Sequence, residues 1–239
     1  MAYDWQNRAA ARPATWAEVD TGLRQFMLRV YNYMGAALVL TGLVAYAVGA
    51  GEHPIYLSIA GNPLIWIVML APLGLVFLLS FRIQSMSLGA AQLTFWAYAA
   101  LMGLSLGFIF IHYTGASVAS TFFITAAMFL AMSLYGYTTK RDLTGMGSFL
   151  FMGLIGIIIA SVVNLFILSS MMSFVISVVG VLIFTGLTAY DTQRIKESYF
   201  AADDGTMAGK KAIMGALQLY LDFLNLFIML LRLLGQSRN

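Results

Sequence analysis

The sequence predicts an all-α integral membrane protein with seven transmembrane helices. Hydrophobic residues make up 61% of its 239 residues and charged residues 10%, whereas roughly 25% of the residues in a soluble domain are charged. The charges also leave long gaps, of which the longest is the 57 residues from Ile83 to Thr139. As helix, at about 1.5 Å per residue, this gap is more than twice a hydrocarbon core of ~30 Å, so it must hold two spans.

The seven spans follow from the charge gaps and from breaks at Gly, Pro, His and Ser. They are predicted at about residues 30–50, 63–81, 88–111, 116–137, 147–168, 171–190 and 213–234. Ser169 and Ser170 form the predicted turn between the fifth and sixth spans. Small residues spaced four apart, which allow helices to approach closely, occur as Gly103 with Gly107 and as Gly156 with Ala160.

The first 26 residues are polar and carry both acids and arginines, without the short apolar run and cleavage site of a signal peptide. Val19, Leu23 and Phe26 recur at helical spacing, so we expect this stretch to lie along the membrane interface. The predicted division is a polar cytoplasmic tail with an interfacial helix at residues 1–26 and a seven-helix transmembrane domain at residues 27–239.

The lysines and arginines predict the orientation, because cytoplasmic loops are enriched in both. On the seven-span map one side receives eleven of the thirteen basic residues, and the other side receives Arg232 and Arg238. We therefore expect a multi-pass protein of the cell inner (plasma) membrane with a cytoplasmic N terminus. If the last segment dips in and returns, all thirteen lie inside, so the charge rule leaves its full crossing open.

Several kinds of site are disfavoured by composition. The chain has no cysteine, hence no disulfide framework and no thiolate metal site. Its two histidines, His53 and His112, fall in different predicted loops, which argues against a structural zinc ion. The basic residues lie at segment ends, as topology requires, and do not form a nucleic-acid surface. We expect no cofactor and no nucleic-acid partner, and the lipid bilayer as the surroundings.

Three ionisable residues fall inside or at the ends of predicted spans, namely Arg82, Asp191 and Asp222. A charge at the centre of a membrane helix costs about 2.5 kcal/mol or more, so each such residue is a candidate functional site. Asp222 lies on a polar face of the last helix with Gln218, Asn225, Met229 and Arg232. Because that face should avoid lipid, we expect the last helix to be central, surrounded by the other six.

Each of these residues also has a purely structural interpretation. Asp191 would form an ion pair with Arg194 or lie at a solvated helix end. Asp222 would be a neutral acid hydrogen-bonded to Asn225 or to a backbone carbonyl, and Arg82 would extend to the lipid headgroups.

Two segments around the aspartates carry a family resemblance. The runs AYDTQRIK (189–196) and LYLDFLNLFIMLLRLLG (219–235) resemble the C-terminal signatures of the Bax inhibitor-1 family, also called the transmembrane Bax inhibitor motif family. RVYNYM at 29–34 and the spacing of the spans resemble its bacterial branch. The resemblance covers essentially the whole chain and implies two three-helix layers around a central last helix. It also implies a pH-sensitive calcium leak controlled by Asp191 and Asp222, with Arg82 as the gating arginine.

The chemistry of a carboxylate pair fits this implication. Two carboxylates in a low dielectric cannot both ionise easily, so they share a proton and sense pH. Calcium prefers six to eight oxygen ligands, so two aspartates make only a weak, transient site. Gln218, Asn225 and Tyr190 are the other candidates to line the pathway. We expect the pair to close it when protonated and flux to rise on the alkaline side, within about pH 5 to 8; loosening of an arginine latch by protonation would give the opposite direction.

Two other classes of protein remain. An intramembrane aspartyl protease also uses two membrane aspartates, but here the second aspartate follows LYL without a GxGD setting. We therefore predict that the protein is not an enzyme. The alternative to a channel is a membrane-embedded regulator that binds other membrane proteins, such as a membrane protease, without transport of its own.

Overall fold

The computed structural model describes residues 16–50 and 62–238. Within those ranges the chain forms eight α-helices, and its only β-type pairing is an isolated bridge between Tyr113 and Ser237. The helices are α1 (Trp16–Gly49), α2 (Leu64–Arg82), α3 (Leu88–Leu106), α4 (Ile109–His112), α5 (Gly115–Thr138), α6 (Thr144–Ile167), α7 (Ser170–Glu197) and α8 (Gly205–Leu234).

Seven stretches of the described chain are long and apolar enough to cross a membrane, which confirms the predicted fold class. The short helix α4 continues α3, and the two together form the third span, Leu88–His112. Helix α1 begins at Trp16 and is continuous to Gly49. The expected interfacial segment and the first span are therefore one helix where described, and the rest of the predicted tail, residues 1–15, lies outside the described residues.

The turns between the spans are fixed by side-chain caps. Ser87, Thr114, Ser169 and Asp204 precede α3, α5, α7 and α8, and each side-chain oxygen accepts a hydrogen bond from a backbone N–H of the first helical turn. The turn between α6 and α7 lies at Leu168 and Ser169, one residue earlier than the predicted Ser169 and Ser170. Before α6, hydrogen bonds from the hydroxyl and the backbone N–H of Thr144 lower the pKa of the exposed Asp142 carboxyl.

The sixth and seventh spans extend further than the sequence predicted. Helix α7 continues past Tyr190 to Glu197, and α8 begins at Gly205 and not near residue 213. The prediction ended each span where charges begin, but charged residues continue a helix readily once it leaves the hydrocarbon core. Asp191 thus lies within α7, well before its end.

Helix α8 is the most buried span. In its most apolar window 72% of the residues are buried, against 11% in α2 and α6, which expose large apolar side chains. It packs mainly against α1, α3, α5 and α7. Burial of a polar helix face among other helices agrees with the cost of exposing polar groups to lipid. The arrangement in which all six other spans surround α8 stays a prediction.

One of the two predicted small-residue pairs is a helix contact. A Cβ atom added to Gly103 would lie 2.7 Å from the carbonyl oxygen of Thr41, and the carbonyl of Gly107 lies against Gly49, so α1 and α3 approach backbone to backbone. In the second pair Ala160 packs against buried core residues, but the predicted contact was wrong for Gly156. A Cβ atom added to Gly156 would meet nothing within 4 Å, because α6 is peripheral and that side of it is open.

Both ends of α8 are attached to turns between other spans. Near its start, Lys210 Nζ donates to the carbonyl oxygen of Gln84 in the α2–α3 turn, at 2.9 Å. Beyond its end, the Arg238 N–H donates to His112 O at 2.8 Å, and the Thr114 N–H donates to Gln236 O at 3.1 Å. The α2–α3 and α4–α5 turns lie at the two ends of the third span, so α8 runs the full length of the helix bundle.

Candidate functional site

Asp191 of α7 and Asp222 of α8 form a buried carboxyl pair. Asp191 is 6% exposed and Asp222 is 5% exposed. The two carboxyls are close enough to interact with one another electrostatically, and the Gln218 side chain lies near Asp191. Asp222 Oδ2 is buried and has no hydrogen-bond partner among the described residues. The sequence predicted both residues as candidates, and the extension of α7 past Tyr190 is what brings them together.

Glycines allow α7 and α8 to approach on both sides of the pair. On one side a Cβ atom added to Gly215 of α8 would lie 2.9 Å from Cγ2 of Ile195. On the other side a Cβ atom added to Gly180 of α7 would lie 2.8 Å from Cγ of Met229. Larger side chains at these positions would force the two helices apart, and the distance between the carboxyls with them.

The position of Asp191 along α7 is fixed by contacts of the next two residues, Thr192 and Gln193. Thr192 Oγ1 is 3.0 Å from Ser133 Oγ in α5, which is in turn 2.6 Å from the Tyr31 hydroxyl in α1. Gln193 Oε1 accepts from the Leu143 N–H at 2.9 Å, and its Nε2 donates to the Arg141 carbonyl at 2.8 Å. Three consecutive residues thus contact α8, α5 and the α5–α6 turn, which holds the carboxyl in place.

A cavity of about 950 Å³ lies beside the carboxyl pair. We call it the aspartate cavity; it is lined by α6, α7 and α8, and its lining includes Gly147, Ser161, Leu165, Tyr190, Asp191, Arg194, Gln218, Asp222, Asn225 and Met229. It exists because α6 packs chiefly against α7 and leaves space in front of α8. The cavity therefore leaves open space beside the pair.

The predicted polar face of the last helix is confirmed. Gln218, Asp222, Asn225 and Met229 all line the aspartate cavity, and Arg232 lines a second cavity of about 640 Å³. The amide of Asn225 donates to the Leu221 carbonyl at 2.8 Å and not to Asp222.

The second cavity, which we call the outer cavity, adjoins the first. Both are lined by Ser161 and Leu165, and the outer cavity continues to Leu168, Ser170 and Arg232. From Gly147 to Leu168 the two cavities follow α6 for about 30 Å of helix rise, which is the thickness of a hydrocarbon core. Polar side chains of α6, α7 and α8 line parts of both cavities.

The two arginines considered for the site, Arg82 and Arg194, are placed differently relative to the carboxyl pair. Arg82 is exposed at the end of α2 and forms no ion pair among residues 16–50 and 62–238. Arg194, one turn beyond Asp191, lines the aspartate cavity but makes no ion pair with Asp191 in the described structure. Its position follows from the i, i+3 spacing once α7 is known to continue. The gating role of Arg82 stays a prediction, and Arg194 is the cation that shares the cavity with the pair.

Tyr190 is partly buried and lines the aspartate cavity. Its ring lies directly against Gly147 of α6, where any side chain would occupy the same space. Sequence reasoning predicted Tyr190 but not Gly147, because a glycine in an apolar span gives no chemical signal. The Tyr190 ring separates α6 from α7 at the same end of the cavity as Arg194.

The site is poor in metal ligands. The described residues contain no group of three or more His, Cys, Asp or Glu side chains that would hold a metal ion. The acidic oxygens come from Asp191 and Asp222, and the Gln218 and Asn225 amides are the nearest additional oxygen donors on α8. Since calcium takes six to eight oxygens in a tight site, this set is too small to hold a calcium ion tightly.

A family model described as inhibitor of apoptosis-promoting Bax1 matches residues 23–239. The chain belongs to the Bax inhibitor-1 family. It is 51% identical over 220 residues to an uncharacterized protein of Rickettsia prowazekii, covering 92% of this chain and 93% of that one. It is 48% identical to the inner membrane protein YbhL of Escherichia coli K12, covering 91% and 94%. An uncharacterized membrane protein of Streptococcus pyogenes is 42% identical, covering 93% and 97%. The seven apolar helices and the names of these relatives both indicate that this Bax inhibitor-1 family member is a membrane protein.

Proposed function

We propose that this Bax inhibitor-1 family protein is a pH-sensitive calcium leak channel, gated by the carboxyl pair of Asp191 and Asp222. The single observation that carries the proposal is the pair itself: two buried carboxyls, close enough to interact electrostatically, that line the same cavity. Two carboxylates in contact away from water repel strongly, and one shared proton removes that repulsion. The charge of the pair is then set by pH.

The route along α6 supports transport over simple pH sensing. The aspartate cavity and the outer cavity share Ser161 and Leu165 and extend over about one membrane thickness. In the closed form the protonated pair ties α7 to α8. Loss of the proton leaves two negative charges that repel one another and attract a divalent cation. Flux is therefore expected to rise with pH, with its midpoint within about pH 5 to 8.

The orientation belongs to the same proposal. A cytoplasmic N terminus places the α2–α3 turn, the α5–α6 turn and the α7–α8 loop on the cytoplasmic side. Asp191 and Arg194 then lie toward the cytoplasmic end of the pathway, and Arg232 lies toward the outer end. The pair would respond to cytoplasmic pH.

Calcium flux into liposomes that contain the purified protein alone tests the proposal. We expect calcium-dye signals that exceed those of empty liposomes and that increase as the internal and external pH are raised together from 5 to 8. Absence of protein-dependent flux at every pH would contradict the channel and favour the alternative, a regulator that binds other membrane proteins. Flux that falls as pH rises would retain the channel and reverse the gating direction.

A further inference from the structure

A second polar pocket lies at the end of the bundle where α7 ends and α8 begins. This basic pocket has a volume of about 220 Å³ and is formed by the α2–α3 turn, the end of α7 and the first turns of α8. Its polar lining comprises Gln84, Arg194, Ser198, Lys210, Lys211 and Gln218. Three of these are cations, and no acidic residue lines the pocket in the described part of the chain.

Lys210 is the least explained of the three cations. It is 8% exposed, and its ammonium makes one hydrogen bond, to the carbonyl oxygen of Gln84 at 2.9 Å. An ammonium has three N–H donors, so two remain without a protein partner in the described structure. A buried cation without a counter-charge is costly. If Lys210 served only to attach the α2–α3 turn, a neutral donor would do so at lower cost.

The other two cations differ in what they contact. Lys211 forms an ion pair with Asp203 and a 3.0 Å hydrogen bond to the Ser198 carbonyl, so its charge is already balanced. Arg194 is exposed and has no ion pair among residues 16–50 and 62–238. The pocket therefore presents two cations without an ion pair, one buried and one exposed, which is the arrangement that a phosphate group would neutralise.

We propose that the basic pocket binds a phosphate group through Lys210 and Arg194. The pocket lies at the helix ends, where the headgroups of phospholipids are found, and basic pockets between membrane helices bind such headgroups. The same chemistry would accept free phosphate from solution. Arg194 and Gln218 also line the aspartate cavity, so the bound group lies next to the carboxyl pair without being part of it.

Binding is measured directly, independently of transport. Purified protein in an uncharged detergent is titrated at constant ionic strength with inorganic phosphate and, separately, with short-chain phosphatidylglycerol, and calorimetry gives the Kd. Chloride and short-chain phosphatidylcholine are the matched ligand controls. The first variant, Lys210→Met, removes the buried charge. Because it also removes the hydrogen bond to Gln84 and can impair folding, two further variants are measured. Lys210→Arg keeps the charge, and Arg194→Gln removes the exposed one. Lys140→Gln removes an exposed cation outside the pocket and is the protein control.

We expect saturable binding by wild type and by Lys140→Gln, and a Kd at least about tenfold weaker in Arg194→Gln and in folded Lys210→Met. Lys210→Arg should retain binding because it keeps the charge. Binding of both probes identifies the phosphate group itself as the ligand, and binding of phosphatidylglycerol alone identifies a lipid headgroup. No saturable binding, or equal Kd values in wild type and Arg194→Gln, would overturn the proposal. A calcium flux that fails while phosphate binding persists would contradict the channel and leave this site intact.

Discussion

Asp222 lies in the middle of α8, whereas its partner Asp191 lies toward the C-terminal end of α7. The substitution Asp222→Asn keeps the size and hydrogen-bonding capacity of the side chain and removes its charge. The interaction energy of two opposite unit charges about 4 Å apart, such as a carboxylate and a cation, is ~4 kcal/mol at an effective dielectric of 20. Loss of this charge should therefore lower calcium flux at pH 8 at least about tenfold and flatten its pH dependence.

The measurement is calcium flux in proteoliposomes at several pH values, with folding checked by thermal unfolding in detergent. Asp20→Asn, an exposed acid near the start of α1, is the matched control and should behave as wild type. A folded Asp222→Asn protein with unchanged flux and unchanged pH response would remove Asp222 from the mechanism.

The two arginines can be distinguished by the pH midpoint of flux. Arg194 lines the cavity that contains the pair, whereas Arg82 is exposed and unpaired among the described residues. A nearby positive charge favours the ionised pair, so Arg194→Gln should move the midpoint to higher pH by about one pH unit. If Arg82 replaces Asp222 as the partner of Asp191 when the pathway opens, Arg82→Gln should move it as well.

Flux against pH for wild type, Arg82→Gln and Arg194→Gln decides between these positions. A shift in Arg194→Gln alone would assign the electrostatic role to Arg194 and contradict the role that the family resemblance implies for Arg82. Three curves with one midpoint would place the pH sensor away from both arginines.

At the level of helices, the contact between α5 and α7 sets the position of the aspartate. Gly136 of α5 lies against the backbone carbonyl of Ala189, two residues before Asp191, so a Cβ atom there has no room. Gly136→Ala should force the two helices apart and destabilise the protein by roughly 1 to 3 kcal/mol, the usual cost of overpacking. Thermal unfolding in detergent measures the change.

The peripheral helix α6 supplies a matched control for this substitution. Gly156 is also a glycine within a span, but a Cβ atom there meets nothing within 4 Å. Gly156→Ala should be neutral or slightly stabilising, because alanine favours helix by up to about 1 kcal/mol over glycine. Equal melting temperatures for the two variants would show that the α5–α7 contact does not limit stability.

For the whole molecule, the attachment of both ends of α8 predicts that the C terminus lies across the membrane from the α7–α8 loop. The chain has no cysteine, so single cysteines can be introduced without a background. Ser198→Cys in the loop and Ser237→Cys near the C terminus should react with a membrane-impermeant thiol reagent from opposite sides, Ser198→Cys from the cytoplasm. Labelling of both from one side would mean that the last helix does not cross.

The sequence alone predicted the number of spans, the polar face of the last helix and the choice of the two aspartates as candidate site residues. Each of these depends on a local property: an apolar run long enough to cross lipid, a helical period, or an acid where hydrocarbon penalises charge. The end of α7 was predicted too early and the start of α8 too late, because a charge gap measures the hydrocarbon core and not the helix. Gly156 was predicted to be a helix contact but faces open space, because a local sequence pattern does not show which side of a helix its neighbours cover.

Only the tertiary structure decided which residues meet. The proximity of Asp191 and Asp222, the place of Arg194 in the same cavity and the burial of Lys210 under the α2–α3 turn each bring together residues from different helices. Such contacts depend on how glycines set the distances between helices and on where a peripheral helix leaves a cavity. Sequence periodicity fixes which face of a helix is polar, but the packing of the other helices fixes what that face meets.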